Sequence, residues 1–282
     1  MRYRTFPPSP RLARYLECFW TLESQEKTSI ASPERILPDG CVELIFNLAD
    51  LFKRYHFDGA MEMQPRTIIA GQMQHHALIE PAGRVKLFGV RFHPGGAYRF
   101  LHFPLSELTN KIISFDDVWS RFGKELAEKI EASRSVRERI NLIEKAFISR
   151  LDQRLEDNER IDAVVRMIVE RDGLISIDRL QKNLGISDRH LERKFKSLVG
   201  ISPKFFCRIL RFQKVFQEVA LHRKLGWSFI ASECGYYDQA HFIRDFKEFS
   251  GQNPSAFFGE DHEMSEHFTR KNRLPDFYNT NE

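Results

Sequence analysis

The residues best placed to do chemistry are charged ones that occur twice. SDRHLERKFKSLVGISP (187–203) and DQAHFIRDFKEFSGQNP (238–254) align with six identities: His190/His241, Arg193/Arg244, Phe195/Phe246, Lys196/Lys247, Gly200/Gly251 and Pro203/Pro254. Leu191/Phe242 and Leu198/Phe249 add two apolar matches. Chance similarity between helices preserves the apolar period and little else. Here charged residues, a closing glycine and a following proline are kept as well, so the segments are a duplication. Each reads as one helix. Ser187 or Asp238 can cap its start by accepting a first-turn N–H. Apolar residues at i, i+4 and i+7 make a buried stripe, and Gly200 or Gly251 suits a left-handed C-terminal cap ahead of a proline. IDRLQKNLG and FIASECG, just upstream, each supply a short helix and a glycine turn, at Gly185 or Gly235. Short helix, tight turn and capped helix make a helix-turn-helix. Its second helix can enter the major groove and read bases with the N-terminal part of its exposed face.

Other polar residues invite other chemistry. His75, His76, Glu80 and His93 suggest a metal site, but adjacent side chains in a strand point to opposite faces, so His75 and His76 cannot easily share one ion. No metal and no cofactor is expected. Asp39, Glu43 and His56 could be assembled into a catalytic group, yet Asp39-Gly40 reads more economically as a turn. There is no Gly-rich phosphate loop, GxSxG elbow or HExxH pair, so an enzyme is not expected.

The totals agree with a binding protein. A chain of 282 residues suggests two domains, and 42% hydrophobic residues can fill a substantial core. No apolar run approaches the roughly 20 residues that span a bilayer, and no signal-peptide core opens the chain, so a cytoplasmic protein with no membrane contact is expected. Cys18, Cys41, Cys207 and Cys234 lack CxxC spacing and fit reduced thiols. Net charge is only +4. Between positions 174 and 224, however, twelve Lys/Arg face four Asp/Glu, an excess that would attract a phosphate backbone.

These residues need a scaffold, and the chain reads as α+β. Residues 1–104 are short aromatic or β-branched runs (ARYLECFWTLE, CVELIFNL, RTIIAGQ, HALIEP, RVKLFGVRF) separated by turn signals such as Pro38-Asp39-Gly40 and Pro94-Gly95-Gly96. That pattern predicts a mainly antiparallel β sandwich or barrel. Residues 105–157 change to a helical period, a helical region that packs on the sheet and can supply a dimer interface; QRLEDNE (153–159) is the expected linker. Residues 158–258 form an all-α domain, in which SPKFFCRILRFQKVFQEVAL (202–221) is a long helix joining the two helix-turn-helix units. Its stripe is Phe205, Ile209, Phe212, Phe216 and Val219, with Arg208, Arg211 and Lys214 between. Such a helix spans about 27 Å, suited to holding two heads near the roughly 34 Å repeat of one DNA turn. Residues 259–282 read as a loosely ordered tail.

Two such units on one long helix, with GYYDQAHFIRDFKEFSGQNPSAFF at the second, resemble the AraC/XylS family of bacterial transcription regulators. FWTL, ILPDGCVELIFNL and FGVRFHPGG resemble the cupin-like sensor domain of one subgroup. The resemblance implies base-reading roles for Arg189, Glu192 and Arg193 in the first head and for Gln239, Ala240 and Arg244 in the second. Arginine suits guanine, glutamine adenine and glutamate cytosine, while Ala240 offers an apolar touch to a thymine methyl. Lys196, Lys204 and Lys247 would contact phosphates; His190 and His241 serve equally well as structural residues beside the turn. At Ser228-Phe229-Ile230-Ala231 the chain departs from the acidic residue that the family often places before Ile-Ala. The resemblance also implies double-stranded promoter DNA and RNA polymerase as partners, a homodimer, and a small-molecule effector. Trp20, Phe46, Arg91 and His93 are candidates to line an effector pocket, although aromatic residues at strand spacing are more often core. The alternative is an effector-independent regulator whose N-terminal domain only dimerises or binds a partner.

Overall fold

The computed structural model describes residues 1–24, 33–151, 159–222 and 225–259. The expected linker and tail lie almost wholly outside the described residues. Among the described residues the N-terminal part forms ten strands: β1 (Arg2–Phe6), β2 (Leu16–Glu23), β3 (Glu34–Ile36), β4 (Glu43–Asn47), β5 (Phe52–Tyr55), β6 (Met61–Met63), β7 (Thr67–Ala70), β8 (Ala77–Pro81), β9 (Lys86–Phe92) and β10 (Ile112–Ser114). They make two antiparallel sheets, ordered β1-β2-β9-β4-β7-β10 and β3-β8-β5-β6. After β9 come α1 (Tyr98–Leu101) and a 3-10 turn (Leu105–Leu108); after β10, α2 (Phe115–Ala132) and α3 (Val136–Arg150). Residues 105–114 therefore depart from the helical expectation. Only one 3-10 turn forms there, and Ile112–Ser114 pairs with β7 to extend the larger sheet.

Alternation along the strands sorts that sheet onto two faces. Phe19, Leu44, Phe46 and Phe88 meet Phe115, Trp119 and Phe147 of α2 and α3. Trp20, Leu22 and Leu87 point the other way, toward Phe52 and Ile79 of the smaller sheet. Gly89 lies opposite Trp20 in the β2–β9 register, and a Cβ there would collide with the indole. Burial of the inner strands β2, β9, β4 and β7 on both faces explains why they read as nearly continuous apolar runs.

The C-terminal part is helical: α4 (Glu159–Glu170), α5 (Ile177–Leu184), α6 (Asp188–Val199), α7 (Pro203–Leu221), α8 (Trp227–Glu233), α9 (Gln239–Ser250) and α10 (Pro254–Phe257). The two helix-turn-helix units are α5–α6 and α8–α9. Gly200 (φ 102°) and Gly251 (φ 78°) close the second helices in the left-handed region, and Pro203 and Pro254 start the next ones. Asp238 caps α9 by accepting from the His241 N–H at 2.7 Å. Ser187 holds the equivalent place without a side-chain cap bond. Beside it, Asp188 accepts from Gln181 of α5 at 2.8 Å, tying the first head's two helices together. The expected stripe of α7 is present but too narrow: Phe206, Cys207, Leu210 and Gln213 are buried too. The helix is enclosed because both heads and the N-terminal domain pack on it.

Candidate functional site

The duplicated helices bury one face and offer the other. Leu191, Phe195 and Leu198 of α6 and Phe242, Phe246 and Phe249 of α9 are in the core. Arg189, Arg193 and Lys196, and Gln239, Ala240, Arg244 and Lys247, are exposed, as is Lys204 in the first turn of α7. Glu192 is half-buried, 3.7 Å from Lys196 one turn on. The Ser228 hydroxyl donates to Gln239 Oε1 at 2.6 Å, so the short helix of the second head orients a side chain of its long one. His190 is exposed, whereas His241 is half-buried with its ring edge-on to Tyr236 at 5.3 Å. Tyr237, just before the α9 cap, is 92% exposed.

The basic residues of α7 beyond its first turn are engaged inside the domain. Arg208 donates to Asp245 (2.8 Å) and Glu248 (2.6 Å) of α9 and lies over the rings of Phe205 and Phe249. Burial works against its charge, but the two carboxylates more than offset that and hold its pKa above the ordinary value. Arg211 lies over the Tyr236 ring, and Lys214 donates to the Glu233 carbonyl at 2.8 Å. The charge excess of 174–224 is thus smaller at the surface than the sequence suggests. What remains outward among the described residues of that stretch sits on α5 (Arg179, Lys182), on α6 and at Lys204.

A second site lies between the β sheets. A cavity of about 100 Å³ is walled by Trp20, Ile45, Phe52, Ile68, Ile79 and Leu87, with Asp39, Glu43 and Arg91 at one end and Arg66 among its lining. Strand alternation decides who reaches it. Glu43, Ile45 and Asn47 of β4 do, while Leu44 and Phe46 face the helices. Trp20 and Arg91 therefore line the cavity and Phe46 does not. His93, past the end of β9, lies apart from it, in a cleft with Arg14, Arg99 and Asp162; burial lowers its pKa. Arg91 is 2% exposed and pairs with Glu43 and, at 3.0 Å, with Asp39. Burial alone would lower its pKa; Glu43 and Asp39, with Cys41 and Glu17, reverse that and raise it well above normal.

Two loops of the cavity wall also grip the helical domain. In the β3–β4 loop (37–42), Leu37 joins the helical domain's core, and the Pro38 carbonyl accepts from the fully buried Gln213 of α7 at 2.6 Å. A Cβ on Gly40 (φ 83°) would stand 2.8 Å from the Phe206 ring. In the β7–β8 loop (71–76), Gln72 donates to the Gly40 carbonyl at 2.7 Å and packs on Gly200 at the end of α6. His76 packs on Gly251 at the end of α9, and its N–H donates to the Phe249 carbonyl at 3.0 Å. Thr109 donates to the Gly200 carbonyl at 2.5 Å. Each head is held by its C-terminal glycine cap and left open at its N-terminal half.

The residues of the metal reading do not converge, and of the catalytic reading Asp39 and Glu43 meet on Arg91 without His56. Glu80 holds Lys53 (2.7 Å) and Tyr55 (2.5 Å), and His56 lies 3.2 Å from Glu62. Among the described residues no three His, Cys, Asp or Glu side chains converge on a point that could hold a metal. Sequence reasoning missed Gln72, Ser228 and Gln213. Gln213 left a trace as a polar residue inside the apolar run of α7, and Ser228 one as a departure from the resembled family's acidic residue.

Comparison with known proteins adds two matches. Residues 180–260 fit a family described as a helix-turn-helix domain, and residues 4–114 fit a domain of unknown function, DUF6597. No curated protein matches the chain. Among solved structures it is similar to ToxT from Vibrio cholerae. A 1.65 Å structure of that protein is 11% identical, covering 86% of this chain and 98% of that chain at a TM-score of 0.47. ToxT bound to (E)-4-(8-methylnaphthalen-1-yl)but-3-enoic acid is 12% identical, with 86% and 98% covered at a TM-score of 0.47. ToxT bound to an unsaturated fatty acid is 11% identical, with 85% and 92% covered at a TM-score of 0.40.

Proposed function

We propose that the chain, whose residues 180–260 fit a helix-turn-helix domain, is a transcription regulator of the AraC type that places α6 and α9 in neighbouring major grooves of a specific promoter. One observation carries this reading: the N-terminal halves of both duplicated helices are exposed, while the opposite ends are docked. In this reading Arg189, Glu192 and Arg193 read bases from the first head, and Gln239, Ala240 and Arg244 from the second. Lys196, Lys204 and Lys247 hold phosphates and set register. Glu192 leaves Lys196 when DNA arrives, freeing one for a base and the other for the backbone.

The cavity between the sheets is the effector site, with Trp20 and Arg91 among its walls. Its occupant acts through the 37–42 and 71–76 loops, which line it and also grip α7 and the ends of both heads. The protein works in the cytoplasm on double-stranded DNA, as a homodimer and in contact with RNA polymerase, and binds rather than catalyses; no described helix is long and apolar enough to cross a membrane. Selecting bound sequences from a random DNA pool, with and without cell metabolites, tests both halves. A two-part recognition sequence with one helical turn between the parts is expected, with enrichment that shifts when metabolites are present. A pool that emerges unenriched would defeat the DNA reading. Enrichment indifferent to metabolites would defeat the effector reading alone.

A further inference from the structure

One buried amide on the wall of the cavity between the sheets has its hydrogen bonds still to make. Gln64 follows β6, and the β5–β6 register, with Lys53 opposite Met63, puts it opposite Phe52; its backbone N–H donates to the Phe52 carbonyl at 2.8 Å. Opposed residues of paired strands point to one face, so the Gln64 side chain lines the cavity beside the Phe52 ring. The residue is 8% exposed, yet its amide makes no side-chain hydrogen bond among the described residues. A buried amide in that state carries a desolvation cost that a hydrogen-bonding guest offsets. The other ionic and amide side chains of the wall are already engaged. Arg91 holds Asp39 and Glu43, and Arg66 donates to the carbonyls of Asn47 and Ala49. The Asn47 amide donates to the Asp50 carbonyl and accepts from the Ala49 N–H. Most of the remaining wall is apolar, with Ile45, Ile68, Ile79 and Leu87 in it. A charged guest would give up its hydration there among ionic groups already matched with one another. A pure hydrocarbon would leave the Gln64 amide unmet. Size sets the third limit. A cavity of roughly 150 Å³ takes a benzene ring. The space here, about 100 Å³, suits a compact body of about four to six non-hydrogen atoms and excludes a long acyl chain.

We propose that the cavity binds a compact uncharged molecule, a small branched or cyclic hydrocarbon body with one carbonyl or hydroxyl group bonded to the Gln64 amide. This rests on the reading of the cavity as the effector site and names the chemistry of its occupant. Leu37 and Met73 belong to the same wall, so the bulk of the occupant is felt at both loops that grip the helical domain.

Isothermal titration of the full chain with isopropyl methyl ketone, isobutyramide and isobutyrate compares three probes of one shape. Each is an isopropyl group on a carbonyl, ending in a methyl, an amide nitrogen or a carboxylate oxygen. The ketone and the amide should each bind at least tenfold more tightly than isobutyrate. Gln64→Leu keeps the bulk and removes the amide. It should weaken the ketone and the amide about fivefold and, because no unmet polar group is left, raise the melting temperature of the chain alone. Ala77→Leu places a larger side chain in the cavity and should abolish binding of all three. If that variant does not fold, Gln64→Leu and the ranking of the probes decide. Isobutyrate binding best, and lost in Ala77→Leu, would overturn the uncharged assignment while leaving the cavity as a ligand site. Affinities unchanged by Gln64→Leu would overturn the hydrogen bond, and with it the proposal. Binding by none of the three, or binding that survives Ala77→Leu, would overturn the cavity reading as well.

Discussion

Arg193 and Arg244 occupy equivalent positions in two copies of one helix, and both reach solvent one turn beyond the helix start. A guanidinium there can bond guanine O6 and N7 at once, which is worth about 1–3 kcal/mol against a wrong base. Arg193→Ala and Arg244→Ala should each weaken binding to the selected sequence by about that amount and relax preference at one base position. Affinities measured across a set of single-base substitutions check this; an equal loss on every sequence would make them phosphate contacts instead. Gln239 has a neighbour that the arginines lack. The Ser228 hydroxyl holds its Oε1 at 2.6 Å, which fixes the amide before DNA arrives. Ser228→Ala should therefore reduce specific affinity about threefold, as one ordinary hydrogen bond allows. In a double-mutant cycle with Gln239→Ala that loss should vanish; additive losses would show that Ser228 acts on something else. The arginines were legible because duplication marks them. Ser228 was not, because a serine on an exposed helix face looks the same whether or not its hydroxyl meets a side chain eleven positions away.

Among the elements, the two glycine-closed helices were readable from period and closing glycine, although Ser187 makes no cap bond, while the loops that hold them were not. The reason is physical. The docking bonds run to backbone carbonyls of Pro38, Gly200 and Phe249, and a carbonyl has no residue type. Even Gly200 and Gly251 have a second use that their role as caps conceals, since their bare Cα atoms let Gln72 and His76 approach. His76 makes this contact sensitive to pH. Burial, followed by the charges of Arg35 and His75, lowers its pKa from 6.5 to about 4. The folded state thus prefers the neutral ring. Its contribution to stability is complete above pH 6.5 and is lost as pH falls from there toward 4, where the unfolded chain takes up a proton that the folded one refuses. Melting temperature should fall across that window, with loosening first at the β7–β8 loop as read by amide exchange. His76→Gln should flatten this part of the profile, and an unchanged slope would place the titration in another group.

At the scale of the whole chain, β strands followed by helices were legible from the change of hydrophobic period near residue 105, blurred there by β10. Their mutual docking was not, because it depends on which surfaces meet rather than on any local pattern. The docking has a thermodynamic consequence. Leu37 is buried in the same cluster as Phe206 and Ile209, and Tyr98 packs against that cluster, so neither domain can open without exposing the core of the other. The unaltered chain should then unfold in one calorimetric transition, with the calorimetric enthalpy matching the van't Hoff value. The bonds that enforce this are few. Gln213→Ala strands the Pro38 carbonyl in the interior, at about 1–3 kcal/mol, and Thr109→Val removes the donor to Gly200. Neither residue touches the exposed face of α6 or α9. Combined, the two changes should split the transition in two while leaving each domain folded. Two transitions in the unaltered chain would mean that the domains are independent and that the cavity has no mechanical route to the reading heads.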